Sequence, residues 1–165
     1  MSNTTVIPFS TTLMVRDTCL CLHVQRAARA LARRFDIALR PLGITNGQFS
    51  LMMSLNRPEP PPMGPVASLL AMDRTTLTAN LKPLERRGLL AVTVDPDDRR
   101  GRLLRLTEAG SATLQAAVPI WERTHAAIEA RLPGGSGDGL REALGILARE
   151  GEERRVAAHG DGAAD

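Results

Sequence analysis

The stretch that constrains this chain most is residues 63–107, because its proline, cap and glycine signals leave few ways to arrange it. Gly64-Pro65-Val66 opens a helix, with Pro65 read at the first helical position, where the amide it lacks would have no intrahelical partner anyway. That helix is short and ends near Ala71. Asp73 then stands where an N-cap belongs, and residues 74–87 carry Leu77, Leu81 and Leu84 at helical spacing, which predicts a second helix with these leucines in a core. Gly88 stops it. Residues 89–94 and 102–106 are β-competent runs, joined by Asp95-Pro96-Asp97-Asp98-Arg99-Arg100-Gly101, a tip too polar to bury.

A helix, a turn, a second helix and a two-stranded wing follow from these signals. Opposite its leucines, the second helix carries Arg74, Thr75, Thr78, Ala79, Asn80 and Lys82, which are small or hydrogen-bonding and leave room for close approach to another surface. From residue 74 to 105 the bases are Arg74, Lys82, Arg86, Arg87, Arg99, Arg100, Arg102 and Arg105, and the acids are Glu85, Asp95, Asp97 and Asp98. Eight against four is a local surplus whose natural counter-surface is phosphate. A charged hairpin or a basic helix face taken alone is as often only solvated; the ordered combination is what points to nucleic acid. Asp98 and Arg100 lie two apart at the tip, in a turn that Gly101 permits, so the carboxylate is expected to hold the guanidinium in one orientation.

At these residues the chain resembles the MarR (multiple-antibiotic-resistance regulator) family of winged helix-turn-helix transcriptional regulators. The matching features are Leu77-Thr78, then Leu84-Glu85-Arg86-Arg87-Gly88-Leu89, then Asp98-Arg99-Arg100 followed by Leu104-Arg105-Leu106-Thr107-Glu108-Ala109-Gly110, and the likeness extends over about residues 18–132. The resemblance implies a homodimer on double-stranded DNA carrying a palindromic operator. One recognition helix per subunit enters successive major grooves and one wing per subunit lies over a minor groove. Contacts then fall to Arg74, Thr75, Thr78, Ala79, Asn80 and Lys82 on the helix, and to Asp98, Arg99, Arg100 and Arg102 on the wing. Pro83 departs from the pattern; it removes an amide inside the helix and predicts a bend or a loosened last turn.

The rest of the chain reads as support for that lobe. The fold class expected is mostly α with a small two-stranded β wing, a winged helix-turn-helix lobe plus long dimerisation helices. A length of 165 residues is one domain's worth, and the absence of tyrosine beside three phenylalanines and one tryptophan favours helices over sheets. A net charge of +3 proves no nucleic-acid partner by itself. Residues 1–15 read as a partly ordered N-terminal arm, 16–44 as a first dimerisation helix, 45–106 as the DNA-binding lobe, 107–158 as C-terminal dimerisation helices and 159–165 as a tail. In the first helix Leu20, Val24, Ala28, Leu31, Phe35, Ala38 and Leu42 recur at helical spacing, with a break expected near Pro41. Thr45 and Gln48 form a capping box for the next helix. Residues 57–62, Arg-Pro-Glu-Pro-Pro-Pro, are expected to be a stiff extended connector outside any helix or sheet. Thr107 caps a later helix that Pro119 should kink, and residues 133–139 break it before a last helix with Leu140, Leu144 and Leu147 on one face.

No apolar run approaches the roughly 18 residues of a membrane helix, and no signal-peptide pattern opens the chain, so a cytoplasmic protein is expected. Two cysteines, Cys19 and Cys21, build neither a disulfide framework nor a four-cysteine zinc site, and on one intact helix they would lie roughly 200° apart. Within the family, organic-hydroperoxide sensors place a reactive cysteine near the start of the first helix, and Cys21 matches that position. Gln25 and Phe35 stand where those sensors carry activating tyrosines. Two readings of Cys21 stay open: a structural thiol made inert by apolar neighbours, which is the one favoured, and a redox sensor. His125 and Glu129 share a face without a third ligand, an ion pair rather than a metal site. No cofactor is expected. No phosphate loop, nucleophile elbow or catalytic carboxylate pair stands out, so a thiol enzyme is a remote rival, as is an interaction module without DNA binding. The family also binds small aromatic or lipophilic effectors between its dimer helices and its DNA-binding lobe, which makes His23, Phe49, Met52, Met53 and Trp121 candidate liners. Methionines and a tryptophan at helical spacing are nevertheless more often plain core, because these soft or bulky side chains fill gaps without a ligand.

Overall fold

The computed structural model describes residues 6–160. The first five residues of the expected arm and the last five of the expected tail lie outside the described residues. The chain divides into two compact units, the division falling after Glu122. The first holds α1 (Phe9–Thr18), α2 (Leu20–Leu39), a 3-10 turn (Arg40–Leu42), α3 (Asn46–Ser54), α4 (Met63–Leu69), α5 (Arg74–Arg86), β1 (Leu90–Val94), β2 (Arg102–Leu106) and most of α6 (Glu108–Glu129). The second holds the end of α6, a 3-10 turn (Pro133–Gly135) and α7 (Asp138–Gly160). The fold is mostly helical with a two-stranded antiparallel sheet, and no helix among the described residues is long and apolar enough to cross a membrane.

The core sits beneath α5 and the root of the wing. Leu77, Leu81 and Leu84 of α5 are buried, together with Leu39, Leu51, Met52, Val66, Leu90 and Leu104 from the elements around them. Burying each such side chain contributes about 1.5–3 kcal/mol, so three leucines on one stripe fix the rotation of α5 about its own axis. The capping box forms as expected: the Gln48 amide donates to Thr45 Oγ1 at 3.2 Å and the Thr45 amide donates to Gln48 Oε1 at 3.0 Å.

Helices α4 and α5 end in the same closure. After α5 the Leu89 amide donates to the Leu84 carbonyl and the Gly88 amide to that of Glu85, the paired bonds of a Schellman motif, with Gly88 left-handed at φ +67°. After α4 the Met72 amide donates to Ala67 and the Ala71 amide to Ser68, but here the left-handed residue is Ala71 at φ +51°. An alanine held there costs about 1 kcal/mol relative to glycine, so the turn between the two helices carries some strain.

Several expectations change. The arm without a clear period is helical over Phe9–Thr18. The single first helix is interrupted at Cys19, whose extended backbone (φ −70°, ψ 106°) makes it the N-cap of α2. The two cysteines therefore do not share an intact helix. Pro65 is the third residue of α4 rather than the first, still within the turn whose amides lack helical partners. Helix α7 starts at Asp138, inside the glycine-rich break. The proline run, expected outside any sheet, touches one: the Leu104 amide donates to the Pro61 carbonyl at 3.0 Å and Pro62 bridges Leu103. Proline lacks a donor but keeps its acceptor, so it can lie along a strand edge that offers amides. Pro83 is accommodated within α5, which continues to Arg86.

Candidate nucleic-acid interface

Asp73 sets the start of α5. Its carboxylate accepts from the Thr76 amide at 2.7 Å and from Thr76 Oγ1 at 2.8 Å. The Thr76 amide, then its hydroxyl, hold the Asp73 carboxyl below the usual carboxylate range. The capping contribution is therefore present above the ordinary aspartate range and lost as pH falls through the lowered value. With the leucine stripe anchored inward, Arg74, Thr75, Thr78, Ala79, Asn80 and Lys82 are all exposed. Thr78 Oγ1 donates to the Arg74 carbonyl at 2.7 Å, and the Asn80 amide nitrogen lies 3.6 Å from Met72 Sδ.

The wing pairs Leu90 with Leu106, Val92 with Leu104 and Val94 with Arg102. Its tip is held by its own acids. Asp95 Oδ1 accepts from the Asp97 amide at 3.0 Å, and Asp98 Oδ1 accepts from the Arg100 amide at 2.9 Å. The Gly101 amide donates to the Asp98 carbonyl at 2.7 Å. A Cβ on Gly101 would stand 2.9 Å from Asp95 Cβ and 3.0 Å from the Asp98 carbonyl oxygen, so the tip needs a glycine there for space.

This geometry corrects the bond expected of Asp98. Asp98 holds the backbone of Arg100, not its guanidinium. A carboxylate two residues before an amide closes an Asx turn more cheaply than it orders a long side chain. Arg102 stays exposed and donates through Nη1 to the carbonyls of Gly101 at 2.8 Å and Arg99 at 3.2 Å, which staples the tip. Arg99 and Arg100 are exposed beside it.

The wing root and the helix behind it are tied together. Thr107 Oγ1 donates to the Gly88 carbonyl at 2.6 Å and accepts from the Gly110 amide at 3.0 Å, while the Thr107 amide donates to the Leu89 carbonyl at 3.2 Å. Thr107 is thus the cap expected for α6, and also a clip to the end of α5.

The five candidate effector liners are brought together only in part. Phe49 and Trp121 stack with ring centroids 6.3 Å apart. Phe49 is buried, Met52 fully so, and Met53 is exposed. His23 sits apart, its Nε2 lying 3.2 Å from the Asp17 carbonyl. The open groove of about 660 Å³ that includes it is lined by Arg26, Ala27, Arg29, Ala30 and Arg33 along α2, and by none of the other four.

Cys21 is exposed in the first turn of α2, where the Gln25 amide group donates to its Sγ at 3.2 Å. Cys19 is half-buried and its Sγ accepts from the Leu22 amide at 3.5 Å. In the second unit His125 lies 3.6 Å from Glu129, which also receives Arg141 at 2.6 Å. The Arg141 guanidinium, ahead of the Gly137 amide, holds the Glu129 carboxyl below its usual range. Sequence reasoning missed Arg87: its guanidinium donates to the Gly43 carbonyl at 2.6 Å and the Leu42 carbonyl at 3.4 Å, partners more than forty residues away that no local pattern announces.

The MarR family model matches residues 44–101, the span from the buried Ile44 to the end of the wing tip. The organic hydroperoxide resistance transcriptional regulator of Bacillus subtilis is 30% identical over 101 residues, covering 61% of this chain and 69% of that protein. The transcriptional repressor NicR of Pseudomonas putida is 32% identical over 76 residues, covering 46% of this chain and 48% of its own length. Among solved structures, the Mycobacterium tuberculosis regulator MosR in complex with DNA is 36% identical, with a TM-score of 0.76 over 83% of this chain and 98% of that one. A capped helix that turns its polar face outward, a wing rooted at its end and this shared ancestry together place the chain in the MarR family of winged helix-turn-helix, DNA-binding transcriptional regulators.

Proposed function

We propose that this regulator is a homodimeric repressor of a palindromic operator, released by a small aromatic or lipophilic effector, and that it works in the cytoplasm. The observation that carries the reading is the exposed face of α5: the leucine stripe is locked inward, so Arg74, Thr75, Thr78, Ala79, Asn80 and Lys82 meet a major groove as one surface. The wing brings Arg99 and Arg100 to the flanking minor groove. MosR is seen on DNA and NicR is named a repressor, which supports extending both properties to this chain. Phe49 and Trp121 are the aromatic pair on which an effector would act, with Met53 exposed nearby in sequence. The test is duplex binding across salt concentrations after selecting bound sequences from random DNA. A steep linear fall of log affinity with log salt is expected, and binding indifferent to salt would remove the reading.

The wing gives a sharper test. Arg100→Ala is expected to cost about 1–3 kcal/mol of operator affinity, the range of a specific contact. Asp98→Ala should lose a substantial part of this although it deletes a negative charge, because the carboxylate fixes the Arg100 amide and with it the tip. Charge counting alone gives the opposite sign. Titrating both variants against one duplex at fixed salt decides it: tighter binding by Asp98→Ala means that the wing is only a charged hairpin.

A second reading, in which the release signal is a hydroperoxide acting on Cys21, is favoured by one observation. The thiol is exposed at the start of α2 rather than packed among apolar groups. A relative named for organic hydroperoxide resistance supports it. In that step the thiol becomes a sulfenic acid and the hydroperoxide is reduced to its alcohol. Under the effector reading, Cys21→Ser keeps both operator binding and release. Cumene hydroperoxide that frees the wild type but leaves Cys21→Ser bound would establish the thiol reading instead.

A further inference from the structure

We infer that Arg87 is a positioning residue, one that sets operator affinity and half-site spacing by joining the recognition helix to the end of α2, without touching DNA. The inference rests on the DNA-binding role proposed for α5. Arg87 caps the C-terminal end of α5, and its guanidinium donates to the carbonyls of Gly43 at 2.6 Å and Leu42 at 3.4 Å. Leu42 closes the 3-10 turn that ends α2, and Gly43 is its left-handed cap at φ +65°. Carbonyls at such an end lack helical partners and carry partial negative charge, so a planar fork of donors satisfies two at once.

The position of this bond gives it its consequence. The leucine stripe fixes rotation of α5 about its axis, and Asp73 fixes its start. Arg87 ties the far end of α5 to the end of α2, beside the Thr107 clip that joins the same end to α6. A second tie joins the same region, since Asp36 of α2 accepts from the Asn46 amide at the start of α3 at 2.6 Å. The Arg87 fork aims at these carbonyls, so its charge serves the joint and not a phosphate. In a dimer the distance between two recognition helices is set by how each is held to its dimerisation helix, and a looser joint lets that distance vary.

The experiment compares wild type, Arg87→Ala, Arg87→Lys and Lys82→Ala by fluorescence anisotropy on one selected operator, at several salt concentrations and on a duplex with the half-sites moved apart by one base pair. Wild type that shows no salt-dependent duplex binding would fail the underlying reading before any variant is compared. Arg87→Ala is expected to bind about tenfold more weakly, as for loss of a charged hydrogen-bonding site. Its salt slope stays at the wild-type value, whereas Lys82→Ala, a candidate phosphate contact, lowers the slope by about 1. Arg87→Ala also discriminates less than wild type against the lengthened operator. Arg87→Lys keeps the charge but replaces the fork with a single point donor, and falls between the two. Wild-type affinity and spacing preference in Arg87→Ala would overturn the inference, as would a loss accompanied by the drop in slope of a phosphate contact. Should Arg87→Ala not fold, a lysine variant equal to wild type in affinity and spacing would overturn it.

Discussion

Gly110→Ala is expected to destabilise the protein by about 3 kcal/mol or more, lowering its melting temperature by roughly 10 °C. Helix propensity argues the other way, since alanine in place of glycine inside a helix is ordinarily worth about 1 kcal/mol of added stability. The decisive fact is distance: a Cβ on Gly110 would stand 1.8 Å from the Leu89 carbonyl oxygen and 2.9 Å from its carbon. Backbone, unlike the end of a flexible side chain, cannot swing aside. The Leu89 carbonyl is also held by the Thr107 amide, and the Leu89 amide by Leu84 at the end of α5. Relief must therefore come from pushing α6 off the wing root or from opening the Schellman closure of α5. Operator affinity should fall with stability, because both the recognition helix and the wing hang from this point. Thermal denaturation followed by circular dichroism checks the first claim, and an unchanged or raised melting temperature would show that propensity outweighs the close approach.

That close approach also marks where the sequence stopped being informative. Asp73, Thr45 with Gln48, Gly88 and Thr107 were legible as caps because each acts on amides or carbonyls within a few residues, and the leucines of α5 because a stripe at helical spacing needs a core. Gly110 was visible only as one letter of a family pattern; the carbonyl it accommodates lies across the wing, in Leu89. Arg87 looked like one more surface base, since nothing in Glu85-Arg86-Arg87-Gly88 says which arginine reaches back to Gly43. At the wing tip the sequence suggested a bond between Asp98 and Arg100 but not which atoms make it. Asp98 and Arg100 interact, but through the Arg100 amide, and one nitrogen of the Arg102 guanidinium bonds nearby carbonyls. The α1 segment was missed for a different reason. Phe9, Met14 and Val15 are exposed and none of its residues is buried, so it lacks the amphipathic stripe from which helices are read.

Deleting residues 140–165 is expected to abolish the proposed dimer and to weaken operator binding by about 10²–10⁴-fold, the loss that follows when two linked half-sites become independent. The argument begins from apolar faces with nothing on them. In α7 Leu140, Leu144 and Leu147 recur on one face and remain 48%, 38% and 47% exposed. In α2 the expected stripe is no better covered: Leu20 is 69% exposed and Val24 and Leu31 are each 39% exposed, and of the stripe within α2 only Phe35 is buried, the other buried residue, Leu39, lying outside it. A chain that leaves both terminal regions in this state gains about 1.5–3 kcal/mol for each large side chain it can cover, and a two-fold axis lets one surface serve twice. Removing the last helix takes away one of these two apolar faces while the caps and leucines of the DNA-binding lobe stay in place. The truncated chain should thus sediment as a monomer and bind a single half-site with the salt dependence of one lobe. Leu144→Asp is a milder version that keeps the helix and places a charge in the middle of the apolar face. A truncated protein that sediments as a dimer and holds the full operator as tightly as wild type would mean that the partner lies on some other face, and that the exposed leucines of α7 have a different occupant.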